Sequence, residues 1–561
     1  MKMLKQKDFD LGHSKIKDLF FTIWIPTLIS VVITGTFVVF DGIFVTHGFH
    51  SGDIFGEIGW HWDTSAGSYG ANGATAIGYA IPYTLILVSA GIMVGGAISY
   101  NLSKARAAND KIREQQIMDS FLPICFIIGL VLTLLLLPFA KVWIWIGSGF
   151  QPFFKENWLN NPLMNSEWAP TVESGGVQGH ILQQGAWYLR IQAFGTIPYI
   201  ALVAAPYLLR EEGKPIVSIY VNLLGLGTNI VLDFLFVIVF GMNLVGAAFA
   251  TLLAQSFGTF CFIYYLKTRS STTTKRWDWK TAKQDVGGIF KNGSSYMGLE
   301  LLQVAIIFSM ILSIGFVFYN DFDTILFYSA SFQDYSNFCT LLSLIALATI
   351  VSVVPLINYN YNINDQERLH EARKLGFRVL AVVTAALTLV VLLFPVIVTK
   401  VFVAPDDWLA QRICQIMIIG FAFGNFILFV GLYFQALGEV KKANIIIFSK
   451  PILLFGLALL IGFTVQDAKL AWNNSFLPWN ASYDGNGLFL PGSTEPIWPT
   501  LGIFWVLPVV DIFIGTISLF WMYASIEKRG LYKQDKMFKK MQKEILHEFK
   551  AKNTIIKKYC Y

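Results

Sequence analysis

The chain has 561 residues, a net charge of +6 and a mean hydropathy of +0.56; 55% of its residues are hydrophobic and only 14% charged. Soluble domains carry about 25% charged residues, so this composition excludes an ordinary soluble protein and a disordered one. The positive balance is no sign of nucleic acid binding, because the basic residues fall where a membrane protein places them.

Apolar stretches of about 18 residues or more recur about twelve times. In chain order the expected spans are 19–46, 77–101, 117–146, 188–209, 216–240, 245–267, 289–318, 324–357, 375–402, 411–436, 444–466 and 499–525. The expected fold class is an all-α membrane protein with twelve transmembrane helices. Lys2, Lys5, Lys7, Lys15 and Lys17 precede the first stretch, which is too long for a signal peptide and lacks a small-residue cleavage site, so it reads as a retained helix. Lys and Arg gather in alternate connections: Lys104 to Arg113, Lys267 to Lys291, Arg368 to Lys374, Lys441 and Lys442, and the tail after Ile526. The opposite connections, 48–73, 148–187 and 466–499, hold only Lys155 and Lys469. The positive-inside rule therefore puts both termini in the cytoplasm of a multi-pass protein of the cell membrane.

The basic tail reads as an interfacial or solvated helix touching lipid. Five cysteines, Cys125, Cys261, Cys339, Cys414 and Cys560, show no metal or disulfide spacing. The long outer connections carry Trp60, Trp62, Trp158, Trp168, Trp187, Trp472, Trp479 and Trp498. Two expectations stay open for them: a cap that binds a partner or gates the outer mouth, and interfacial anchoring, which suits Trp187 and Trp498. His47, His50 and His61 read as loop residues.

A weak internal repeat divides the chain. Asn109-Asp110 recurs as Asn364-Asp365, 255 positions on, and LLREEGKP around Gly213 resembles FQALGEVKKA around Gly438, 225 positions on. The difference is absorbed by the long connection 148–187. The expected organisation is a cytoplasmic segment 1–18, a six-helix bundle 19–267, a linker 268–288, a second six-helix bundle 289–526 and a tail 527–561, with a central cleft between bundles.

Polar residues inside spans are costly and rare. Asp41 lies alone in TFVVFDGIFV; Asn229 and Asp233 are four residues apart, hence on one helical face. Thr251 follows the turn at Gly241-Met242-Asn243 by about as many residues as Asp233 precedes it, so both sit about 12 Å below the outer end, and Asp41 about 9 Å. Two carboxylates, a carboxamide and a hydroxyl make a hard-oxygen nest for Na⁺, and a proton shared between the aspartates satisfies the same pattern. Hydrogen bonding between neighbouring helices is the plainer alternative. Pro26 could let the first helix bend, or be a tolerated kink. In the second half Glu300, Gln303 and Asp334 are candidate substrate contacts, and Asp511 reads as structural.

In order, the chain reads IPTLIS...FDGIFV, IGYAIPYTLILVSAGIMVGGA, YLRIQAFGTIPYIALVAAPYLLREEGKP, NIVLDFLFVIVFGMNLVGAAFATLLAQ, VVPLINYNYN, YFQALGEVKKA and PVVDIF. From about Lys17 to Ile526 it resembles the multidrug and toxic compound extrusion (MATE) family, of the multidrug/oligosaccharidyl-lipid/polysaccharide flippase superfamily. Asn362-Ile363 replaces the Gly-Ala that usually follows YNY, and the outer connections are longer than usual. The resemblance implies a cation site in the first half, carried by Asp41, Asn229, Asp233 and Thr251.

No P-loop, nucleophile elbow or metalloprotease motif is present in the sequence, so neither ATP hydrolysis by that route nor an enzyme is expected. The expected function is a secondary antiporter that exports amphipathic, cationic organic compounds in exchange for Na⁺ or H⁺ by alternating access, with no cofactor besides the coupling ion. Its expected partners are small organic molecules and lipids, not nucleic acid. The alternative within the superfamily is a lipid-linked precursor flippase, which would need cationic residues for a pyrophosphate head in a midmembrane region that reads as nearly free of Lys and Arg. A channel or receptor is a further alternative.

Overall fold

The computed structural model describes residues 14–47, 69–147, 172–268, 277–317, 322–397, 408–472 and 502–528, and among them every regular element is helical. The helices are α1 (Ile16–His47), α2 (Tyr69–Ala107), α3 (Lys111–Leu136), α4 (Ala140–Gly147), α5 (Val172–Phe194), α6 (Thr196–Glu211), α7 (Pro215–Asp233), α8 (Asn243–Thr268), α9 (Trp279–Val317), α10 (Phe322–Asn362), α11 (Gln366–Leu393), α12 (Trp408–Met417), α13 (Phe421–Ala436), α14 (Val440–Trp472) and α15 (Val506–Lys528). The described residues of all twelve expected spans fall mainly on helix. Nine helices among the described residues are long and apolar enough to cross a membrane, and two bent pairs raise that to eleven. The chain is an all-α, multi-pass membrane protein. Trp60, Trp62, Trp158, Trp168, Trp479 and Trp498, with His50 and His61, and the tail after Lys528 lie outside the described residues, whereas His47, Trp187 and Trp472 fall on α1, α5 and α14.

Two expected spans are broken, for local reasons. The span 117–146 ends as α3 at Leu136 and resumes as α4, because Pro138 has no N–H to continue the ladder. The span 188–209 bends by 66° between α5 and α6, at Gly195 and three residues before Pro198. Hydroxyls take up the exposed carbonyls there: Thr133 and Thr196 donate to Ala193 O at 3.1 and 2.8 Å, and Thr259 to Pro198 O at 2.6 Å. A Cβ on Gly195 would come within 2.8 Å of Leu252 Cδ1, so the bend seats α5 and α6 tightly on α8.

The internal repeat is visible as repeated backbone chemistry. Asn109 (φ 54°) and Asn364 (φ 59°) both take the left-handed conformation that Asn tolerates better than most residues. Asp110 and Asp365 then cap α3 and α11, accepting from Arg113 N at 3.0 Å and Arg368 N at 3.1 Å. Gly213 (φ 70°) and Gly438 (φ 76°) close α6 and α13 in the same way.

Two large apolar cores result. One draws on α2, α3, α6 and α8. The other is built from α9 to α15 and also takes Phe20 and Ile23 of α1 and Leu85 and Ile92 of α2. The first and second halves of the chain meet at the end carrying the basic loops, called here the basic end. Gly96 lies against the Tyr296 ring, and a Cβ on Gly293 would reach Met93 O at 2.5 Å; small residues let α2 and α9 approach this closely. Polar links cross at the same end: Trp24 Nε1 to Thr349 Oγ1 (2.9 Å), Asn292 Nδ2 to Asn101 Oδ1 (3.1 Å) and Asn358 Nδ2 to Tyr100 O (3.3 Å).

Candidate functional site

Helix α7 starts with Pro215 at its first position, where the missing N–H costs nothing, and runs as an apolar helix into a short π-helical turn, Phe234–Val239. Asn229 and Asp233 lie one turn apart near its end, each 0% exposed. Asp233 is the last α-helical residue before the π turn. Such wide turns break the regular ladder and recur at functional sites. The π turn is held from the other side by α8: a Cβ on Gly246 would lie 3.0 Å from Phe236 O, so the helices touch backbone to backbone. Thr251, buried on α8, donates to Ala247 O at 2.9 Å.

A cross-link fixes the register of α1 against α7. Asn222 Nδ2 donates to Ser30 Oγ at 2.8 Å and to Ser30 O at 3.2 Å. Both helices run away from the basic end, and eleven residues is close to three turns, about 16 Å. Advancing eleven positions on each helix brings position 41 level with position 233. Ile33 of α1, Leu226 and Ile230 of α7 and Ala254 of α8 pack together just below that level. The four predicted positions 41, 229, 233 and 251 therefore belong to three helices packed on one another. The side chain of Asp41 lies outside the described residues. Pro26, buried inside α1, removes the backbone bond to the carbonyl of Thr22 without ending the helix.

The second-half candidates separate. Glu300 is buried directly after a 49° bend in α9. Gln303 donates to Ser343 Oγ at 3.3 Å and lines a small cavity of about 40 Å³ with Tyr335, Cys339, Asn425, Lys450 and Asp511. The side chain of Asp334 lies outside the described residues.

Sequence reasoning missed the partner of Asp511. Lys450, six residues inside the expected span 444–466, is buried and its Nζ lies 2.5 Å from Asp511 Oδ1, with both side chains about 5% exposed or less. The midmembrane that reads as nearly free of Lys and Arg thus holds Lys450, paired with Asp511. A Lys inside an apolar stretch was the available signal. It reads as a boundary residue until its counter-charge, 61 positions away, is brought to it.

No family model matches the chain. Over 320 residues the chain is 23% identical to the multidrug export protein MepA of Staphylococcus haemolyticus, covering 57% of this chain and 63% of that protein. It is 27% identical over 218 residues to MepA of Staphylococcus saprophyticus, covering 38% and 46%. The matches thus span less than two thirds of these relatives' length. Among solved structures, a MOP superfamily transporter of Pyrococcus furiosus, described as having a binding pocket of reversed polarity, superposes with a TM-score of 0.70 at 16% identity, covering 95% of this chain and 100% of that one. An outward-facing multidrug resistance MATE family transporter superposes at 0.68, also at 16% identity and with the same coverages. At such identities the likeness shows the fold.

Proposed function

From a chain with the fold of MATE transporters, we propose a secondary antiporter that exports amphipathic, cationic organic compounds in exchange for Na⁺ or H⁺. The observation that carries this reading is the buried pair Asn229 and Asp233, one turn apart at the start of a π turn, on a helix whose register puts Asp41 at the same level. A buried carboxylate is stabilised by taking a cation or a proton, and the donor set of carboxylates, carboxamide and hydroxyl is all oxygen, which fits Na⁺ and H⁺ alike. The similarity to multidrug export proteins supports organic compounds as the cargo.

The basic loops assign the end where the halves meet to the cytoplasm. In that orientation the links at Gly96, Gly293, Trp24 and Asn292 seal the inner side, and substrate leaves outward. Neutralising the buried carboxylates then stabilises one arrangement of α1, α7 and α8 over another, which is the coupling step of alternating access. The flippase reading is weaker: Lys450 is already held by Asp511 and is not available for a pyrophosphate head.

The test is uptake of a fluorescent organic cation into proteoliposomes under imposed Na⁺ or pH gradients. Wild-type protein is expected to need one of the two, and Asp41→Asn and Asp233→Asn to lose the gradient-driven uptake. Uptake without either gradient, or unchanged in both variants, overturns the antiporter.

A further inference from the structure

The buried pair in the second half has the layout of a cation site with its cation attached. Asp511 on α15 faces the turn that joins α12 to α13 and the first turn of α13, where Gly420 and Gly424 leave the room. A Cβ on Gly420 would lie 2.9 Å from Asp511 Cβ and 2.6 Å from Pro508 Cα, and one on Gly424 would lie 3.1 Å from Asp511 Oδ2 and 3.2 Å from Lys450 Nζ. Any side chain at either position would fill the space around the carboxylate. The adjoining cavity offers oxygen ligands: Asn425 spends its Nδ2 on Phe421 O (2.8 Å) and Gln303 its Nε2 on Ser343 Oγ (3.3 Å), so each keeps a carbonyl oxygen to offer. Into this space α14 sends Lys450, whose ammonium lies 2.5 Å from Asp511 Oδ1. The pair by itself is neutral.

We propose that Asp511, with the space left by Gly420 and Gly424, forms a small-cation site of the second half, and that the chain fills it permanently with the Lys450 ammonium. The ligand class is a primary ammonium ion, and removing the tether opens the site to one from solution. Lys450 then keeps this site closed to ions from solution. This goes beyond the coupling reading and does not depend on it, because its test reads stability rather than transport.

The experiment is thermal unfolding of the purified full chain in detergent, for wild type, Lys450→Ala and Lys450→Ala/Asp511→Asn, in methylammonium, sodium or choline chloride at equal ionic strength. Lys450→Ala is expected to unfold at a lower temperature and to recover saturably with methylammonium but not with choline, and the double variant is expected not to respond. A Lys450→Ala protein indifferent to methylammonium, or a double variant that responds equally, overturns the proposal.

Should Lys450→Ala fail to fold, Lys450→Met keeps the volume of the stem. Its unfolding temperature is expected to rise between about pH 8 and about pH 5, as Asp511 takes a proton in place of the ammonium. The other titratable groups on the cavity are Tyr335 and Cys339 of α10, with Cys414 of α12 beside Cys339, and these types ordinarily ionise above that range. A profile no steeper than wild type's overturns the proposal.

Discussion

The two halves of the chain share turn chemistry but bury their carboxylates differently. In the first half Asp233 lies beside a carboxamide on its own helix, at a π turn, with Asp41 level on α1. In the second, Asp511 is met by an ammonium at 2.5 Å. A buried carboxylate with a built-in counter-charge has little to gain from a further ion. The repeat preserves the scaffold and lets the two buried carboxylates take different surroundings; under the proposed function the first would exchange an ion and the second would not.

The largest expected effect breaks the exchanging half. Asp233→Asn should reduce gradient-driven uptake in proteoliposomes to the level of protein-free vesicles, while Asp511→Asn/Lys450→Met keeps a gradient response. Next, breaking the static half on one side only should be costly. Lys450→Met leaves a buried carboxylate alone and should destabilise by about 3 kcal/mol, with the double variant returning toward wild type, as read by denaturant unfolding.

Smaller effects sharpen the contrast in packing. Gly420→Ala forces a Cβ against Pro508 and should cost about 1 to 3 kcal/mol, whereas Gly227→Ala, with nothing within 4 Å, should be neutral or slightly stabilising in the same assay. Losing either repeated cap, Asp110→Ala or Asp365→Ala, should cost about 1 kcal/mol, and similar amounts in the two halves would show that the scaffold is shared.

The smallest effect is at the start of α9. Asp278 accepts from the Thr281 hydroxyl and from Thr281 N at 3.0 Å, and these bonds hold its carboxyl below the usual carboxylate range. A lowered folded-state value means that its contribution is present above the ordinary carboxylate range and is lost as the pH falls through the lowered one. Amide exchange in the first turn of α9 should therefore quicken at strongly acidic pH in wild type, and Asp278→Asn should remove that step.

How much was legible follows from how far apart the deciding residues lie. Most of the twelve apolar stretches, the Asn-Asp turns at 109–110 and 364–365 and the glycines at 213 and 438 are local signals, and among the described residues they appear as helices and turns where the sequence put them. Asn229 and Asp233 could be paired because four residues on one helix share a face. The breaks at Pro138 and Gly195 were present in the sequence but were overridden by the length of the apolar runs around them. The π turn after Asp233 left no signal, since FLFVIV suits an α-helix as well.

The sequence by itself determined that this protein crosses a membrane as helices and repeats itself. The cost of placing unpaired backbone in lipid and the need for special φ values at turns are both properties of short segments. Only the tertiary structure decided which charges meet. Lys450 and Asp511 acquire a role from being buried within 2.5 Å of one another, and the level of Asp41 against Asp233 follows from the Ser30–Asn222 cross-link. Helix packing sets those distances, and it depends on small residues and side-chain fit across the whole bundle.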